Sequence, residues 1–361
     1  MKQFSNGSRR WLEGLAVVGA AVALRAVVLF LTPDALEADP DGYRAVGENL
    51  VRHGVLGHGP YPTAVRPPLY PLILAGCAVF GSSARWVLGL VHLALGTATV
   101  WLAWDLARMG RLRRWQQWMV AGLVAGDPLL VRASTQVMTE TLAALLATAA
   151  WNLWGRYLRR PTAWRAGLLG AILGIGVLCR PEWLLVGFAA AGMLLFRSAG
   201  WTSLAAYGAA AGMVLAPWPV RNRIQFGQPI LTTTHGGYTM LLANNQWLYE
   251  HLRQGGALAD WNPAGFHQAW HQTVEERFLR KPIRPSPNNA GEDTPFGKKP
   301  FPLERDSTSS IVDELAADRW AYREAIRTIG ENPGIFCRAV LFRWGRLWQI
   351  VPSRIGESYL D

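Results

Sequence analysis

Carboxylates and guanidiniums recur at one kind of position along this chain. Asp34, Glu37, Asp39, Asp41 and Glu48 crowd into a polar stretch behind the first apolar run, and Arg66 closes that stretch. Asp127 precedes Pro128, Glu140 opens an apolar run, Arg180 and Glu182 flank Pro181, and Arg221 and Arg223 follow the last long run. Side chains of these types suit transfer of a group from a phosphate-linked donor. Arginine binds phosphate by charge-assisted, often bidentate hydrogen bonds. A carboxylate takes the proton of an acceptor hydroxyl as that oxygen attacks.

Each residue also has a plainer reading. Asp39-Pro40 has the form of a helix start, Asp at the N-cap and Pro at the first helical position, with the helix running through Leu50. Asp41 would then lie in the first turn, where a carboxylate suits the helix dipole. Tyr43 could be an interfacial aromatic, and Arg66 and Arg221 could snorkel to headgroups. Asp127-Pro128 could mark a kink, and Arg180 and Glu182 could pair with each other. Site roles are assigned on balance to Asp39 as catalytic acid/base and to Asp41, Tyr43, Arg66, Asp127, Glu140, Arg180, Glu182 and Arg221 as substrate-binding residues. Asp105 and His92 are polar residues placed elsewhere in the apolar region, and His92 reads as packed and hydrogen-bonded. His267 and His271 are four apart without the glutamate of a zincin, and no Cys-x-x-Cys pair is present, so no metal centre is named. A divalent cation is left as an open alternative.

The elements that must carry these residues follow from composition. Of 361 residues, 50% are hydrophobic and only 17% charged, against about 25% charged in an average soluble domain. The apolar mass lies before residue 220, in blocks long enough to cross a bilayer. An all-α polytopic membrane protein is expected, with spans at 11–32, 84–107, 115–134, 137–157, 164–180, 182–197 and 201–219. Residues 67–80 are too short for a crossing and read as an interfacial or re-entrant segment. Twelve basic residues then fall on the side of the N-terminus and five in the opposite loops, which places the N-terminus in the cytoplasm. The first run is too long for a cleavable signal peptide. Trp11, Trp86, Trp115, Trp164, Trp201 and Trp218 lie near span ends, and Gly170 and Gly174 form a small-xxx-small packing pair.

Two regions are expected: a membrane domain over 1–220, with an outer loop at 33–83, and an extracytoplasmic region over 221–361. The second holds a mobile loop at 282–310, a helix from Val312 to Ile329, and an interfacial helix at 334–351 bearing Arg338, Arg343 and Arg346. The net charge of +11 is explained by loop arginines and anionic lipid. No basic tract is interleaved with stacking aromatics, which argues against nucleic acid.

Taken in order, Asp39-Pro40-Asp41-Gly42-Tyr43, Ala45-Val46-Gly47-Glu48-Asn49-Leu50, Arg66-Pro67-Pro68-Leu69-Tyr70-Pro71, Thr139-Glu140, Arg180-Pro181-Glu182, Pro217-Trp218 and Arg221-Asn222 carry a resemblance. The set resembles the GT-C membrane glycosyltransferases, in particular the dolichyl-phosphate-mannose protein mannosyltransferases and the aminoarabinose transferase of lipid A. It covers about residues 10–250. The resemblance implies a GT-C-like helical bundle, a polyprenyl-phosphate-linked sugar donor, and a lipid, glycan or protein acceptor at the outer face of the cytoplasmic membrane. By position, Asp39 matches the family's acidic residue in the first outer loop. Arg66 matches the basic residue that faces the carrier phosphate. The alternative outside enzymology is a membrane scaffold or a carrier of lipid-linked saccharide in cell-envelope biogenesis.

Overall fold

The computed structural model describes residues 2–32, 34–197, 200–256, 258–280 and 311–348. Helices dominate it. Two compact units are present, one formed by the chain up to Thr233 and the other by the described residues from Thr234 onward.

In the first unit, α1 (Lys2–Leu31) leads through a polar loop to α2 (Tyr43–His53). A tight hairpin, β1 (Gly57–His58) and β2 (Tyr61–Pro62), pairs Gly57 with Pro62 and His58 with Tyr61. It is followed by α3 (Leu69–Ala78), α4 (Ala84–Met109), α5 (Arg114–Gly126), α6 (Pro128–Ala133), α7 (Glu140–Arg159) and α8 (Ala163–Cys179). Then come α9 (Trp183–Phe196), α10 (Trp201–Leu215) and α11 (Pro217–Phe226). The segments Leu12–Leu31, Gly81–Met109 and Trp201–Phe226 are each long and apolar enough to cross a bilayer, and Leu69–Ala78, Ala163–Cys179 and Trp183–Phe196 are shorter apolar helices. This is an all-α membrane protein.

Each expected span finds its helix, with instructive differences. The stretch 115–134 is broken at Asp127, whose carboxylate accepts the N–H groups of Leu129 and Leu130 and so caps α6 afresh. The segment at 67–80 folds as the ten-residue α3, only ~15 Å long at 1.5 Å per residue. Helix α2 begins at Tyr43 rather than at Pro40. Gly42 sits at φ +70°, in the left-handed region, and this interrupts the helical path between Pro40 and Tyr43. The turn closes through Gly42 N–H to the Asp39 carbonyl at 3.3 Å.

Packing follows the small residues. A Cβ on Gly170 would stand 2.1 Å from the Tyr207 carbonyl oxygen, and one on Gly174 3.1 Å from that of Ala211, so both glycines face α10 at backbone contact. Gly47 does the same for α2, where a Cβ would meet the Pro71 carbonyl of α3 at 2.8 Å. The main core joins Leu36, Tyr43, Tyr70, Leu74 and Leu88 to Leu142, Leu146, Leu169, Leu173 and Val177. It runs from the polar loop down into the bundle.

The second unit contains α12 (Gly236–Ala243), α13 (Gln246–Arg253), α14 (Ala264–Phe278), α15 (Glu314–Glu331) and α16 (Pro333–Leu347), with β3 (Leu279–Arg280) paired antiparallel to β4 (Ile311–Val312). Helix α15 starts two residues later than expected because Asp313 caps it, accepting the Ala316 N–H at 3.1 Å. Buried Asp318 accepts the Gly237 N–H at 2.7 Å and fastens α12 to α15. In α16, Arg343 donates to the Ala243 carbonyl at the end of α12, and Arg338 to the Leu252 carbonyl of α13. Leu341, Trp344 and Leu347 on that helix stay exposed. The loop expected at 282–310 lies outside the described residues, as does the end of the helix expected at 334–351.

Candidate functional site

Five polar segments meet at one end of the α4/α7/α8 bundle: the loop after α1, the start of α3, the start of α4, the segment before α7, and the turn between α8 and α9. Backbone bonds tie them together. Leu36 N–H donates to Thr135 O at 2.6 Å and Val137 N–H to Ala38 O at 3.3 Å. Arg85, at the start of α4, donates to Ala35 O at 2.9 Å and pairs with Glu37 at 2.6 Å. Buried Arg44 donates to the carbonyls of Leu36 and Glu37 at 2.5 and 3.2 Å. The loop that carries Asp39 is therefore wrapped around one guanidinium and staked by another.

Asp39 sits at the N-terminus of α2. Its Oδ1 accepts the Tyr43 N–H at 3.0 Å and its Oδ2 the Arg44 N–H at 2.8 Å. Two backbone bonds and the nearby Arg44 charge favour the carboxylate, yet burial outweighs them and holds its pKa above the ordinary aspartate value. The result is a more basic carboxylate with one lone-pair direction left on each oxygen. Burial likewise raises Glu48, which pairs with Arg52 at 3.7 Å.

Tyr43 is the hub. Burial raises its phenol to about 12, so it is a neutral donor at physiological pH. The Arg66 guanidinium lies over its ring, 5.3 Å from the centroid, and the Arg180 charge also reaches it. Arg66 donates through Nε to the Asp41 carbonyl and through Nη2 to Asp41 Oδ1, both at 3.0 Å. Arg180 donates through Nε to Glu182 at 2.5 Å and through Nη1 to Glu140 at 2.9 Å and Thr139 at 3.3 Å. Nη1 of Arg66 and Nη2 of Arg180 have no protein partner among the described residues.

Beneath Tyr43 lies a buried polar chain. Tyr70 meets the Tyr43 ring edge-on, with centroids 5.4 Å apart. Its hydroxyl is 2.9 Å from His92 Nε2, and His92 Nδ1 is 3.0 Å from the Ser134 carbonyl. A carbonyl only accepts, so Nδ1 carries the proton and Tyr70 donates to Nε2. This chain anchors the floor of the site to α4 and to the end of α6.

The structure thus brings together Asp39, Asp41, Tyr43, Arg66, Glu140, Arg180 and Glu182. Asp127 makes no bond to this group and caps α6. Arg221 reaches the adjoining hairpin instead: it donates to Thr63 O at 2.9 Å and Leu56 O at 2.8 Å, and stacks over Trp218 and Phe226. Arg44, Arg85 and Tyr70 are organising residues that spacing alone does not disclose. Tyr70 lies within one quoted motif and Arg44 between two of them, which is the one signal that could have found them. Another is Arg25, fully buried within α1, where it donates to the Val124 carbonyl at 3.5 Å. One such charge deep inside the apolar run Leu12–Leu31 does not disturb the span it belongs to. Among the described residues, no three His, Cys, Asp or Glu side chains gather as a metal shell.

Residues 65–220 match the family described as dolichyl-phosphate-mannose-protein mannosyltransferase. The chain matches no curated protein at a significant level. The matched stretch begins just before Arg66 and includes Glu140, Arg180 and Glu182, so it takes in the basic half of the site, while Asp39, Asp41 and Tyr43 precede it. With its apolar helices and the residues 65–220 match, the chain is supported as a glycosyltransferase of GT-C type acting in a membrane.

Proposed function

We propose that the chain transfers a sugar from a polyprenyl-phosphate-linked donor to an acceptor hydroxyl at the outer face of the cytoplasmic membrane, with inversion at the anomeric carbon. The observation that carries this reading is the environment of Tyr43: a half-buried carboxylate made more basic by its surroundings on one side and two guanidiniums with donors to spare on the other. Asp39 takes the proton of the acceptor hydroxyl. The acceptor oxygen forms a bond to the anomeric carbon as the bond from that carbon to the phosphate oxygen breaks. The electron pair leaves with polyprenyl phosphate, whose charge Arg66 and Arg180 stabilise. Asp41, Glu140 and Glu182 hold those guanidiniums in place. Tyr43, a neutral phenol, offers one further hydrogen bond to the donor. Arg221 serves by fixing the hairpin next to the site.

The test is release of free polyprenyl phosphate, followed by mass spectrometry. Purified chain is incubated with a panel of polyprenyl-phosphate sugars and cell-envelope extract as the source of acceptor. Release from one donor, dependent on the chain, is expected. Folded protein that releases nothing from any donor in the panel would overturn the proposal.

A further inference from the structure

A second charged cluster lies at the other end of the bundle, about 30 Å from the site, counting 20 residues of α4 between Arg85 and Asp105 at 1.5 Å each. It surrounds an open cavity of about 310 Å³ lined by Asp105, Met109, Arg156, Arg159, Arg160 and Arg165. That volume is within the range of small-molecule pockets. Four guanidiniums face one carboxylate there.

The cations are not equally committed. Arg156 pairs with Asp105 at 2.6 Å, and Asn152 supports the same carboxylate at 3.1 Å. Arg165 donates to the carbonyls of Arg156 and Arg160 at 3.0 and 2.9 Å, and so covers the end of α7. Arg159 and Arg160 have no side-chain partner among the described residues, yet both border the cavity. The exposed indole of Trp164 holds one of the lining residues, with the Arg165 guanidinium 5.4 Å from the ring centroid. Two uncommitted guanidiniums, beside two more on the wall of one small cavity, match one chemical group: a phosphate.

We propose that this cavity is a phosphate-binding site, held by Arg159 and Arg160 and backed by Arg156 and Arg165, separate from the Asp39 site. The phosphate could belong to an anionic lipid headgroup or to a soluble compound, and the experiment distinguishes them. The full chain is reconstituted in nanodiscs of phosphatidylcholine, with or without a minor fraction of phosphatidylglycerol. Lipid retained per chain is read by native mass spectrometry. In a parallel arm, inorganic phosphate is titrated onto the phosphatidylcholine sample. The variant is Arg159→Gln/Arg160→Gln. The control is Arg111→Gln/Arg113→Gln, which removes the same charge from the neighbouring loop.

The expected result is saturable binding of one probe, weakened at least about tenfold by the cavity variant and left within about twofold by the control. Retention of phosphatidylglycerol identifies a lipid site; saturation by inorganic phosphate alone identifies a soluble ligand. Neither probe binding saturably, or equal losses in variant and control, would overturn the proposal. In the latter case the arginines act only as diffuse charge.

Discussion

Tyr70→Phe removes one oxygen atom from beneath the site, and its cost can be worked from the buried chain it belongs to. The Tyr70 hydroxyl donates to His92 Nε2 at 2.9 Å, and both side chains are within 1% of complete burial. A neutral hydrogen bond contributes ~0.5–1.5 kcal/mol net, and an acceptor left unsatisfied in a buried place costs ~1–3 kcal/mol. Losing the hydroxyl should therefore destabilise the fold by about 2 kcal/mol. His92→Leu strands both the Tyr70 hydroxyl and the Ser134 carbonyl, for about 3 kcal/mol. In the double variant no hydroxyl is left to strand, so its cost should fall short of the sum by about 1–2 kcal/mol. Reversible unfolding in mixed micelles, titrated with a denaturing detergent and followed by tryptophan fluorescence, measures all three. Costs that add within ~0.5 kcal/mol would refute the hydrogen bond between Tyr70 and His92.

Three more expectations come from burial and geometry. Asp39 has its pKa raised by burial, so the acid limb of the rate profile should lie above that of an ordinary aspartate and persist in Glu48→Gln. Stability should change the opposite way: the folded state holds its proton more tightly than the unfolded chain, so Asp39 lowers stability as pH rises between the two values. Arg25→Met should leave stability unchanged or raise it by ~1–4 kcal/mol, because among the described residues Arg25 meets a single carbonyl, at 3.5 Å, and its Nε and Nη1 are buried without a partner. A large loss on thermal scanning would mean that Arg25 serves an unseen anion or water. Gly237→Ala would press a Cβ to 2.1 Å from the Asp318 carbonyl and should cost ~1–3 kcal/mol or more, exposing the second unit to limited proteolysis. Gly265→Ala, with open space around it, should not.

What the sequence discloses and what it hides divide along physical lines. Apolar runs are a local signal, and the helices stand where those runs are, down to α3 as a short element between Pro68 and the Gly81 turn. The start of α2 is less legible. Asp39-Pro40 carries a helix-start pattern, but Gly42 adopts the left-handed conformation and delays the helix to Tyr43. The Asp39 carboxylate still reaches the first free N–H groups, now from three residues outside. Partnerships across the fold are not legible at all. Arg85 to Glu37 and Tyr70 to His92 join residues 48 and 22 positions apart, and no spacing rule links them. Asp127 reads in sequence as a cavity residue or, more readily, as a kink, and its bonds to Leu129 and Leu130 show a cap at the kink. Arg221 looks like a phosphate ligand in sequence because its two carbonyl partners lie more than 150 residues earlier.

The proposed transfer divides labour between Asp39 and Arg66, and comparing donor binding with turnover tests that division most directly. Asn at position 39 can still accept a backbone N–H, so Asp39→Asn should fold and bind the polyprenyl-phosphate sugar within about twofold of the parent. Its turnover should fall by ~100-fold or more, as expected when a general base is lost. Arg66→Gln should instead weaken donor binding by about tenfold, the loss of one charge-assisted contact to phosphate. Full turnover by Asp39→Asn, with the donor that the wild-type chain uses, would contradict the account.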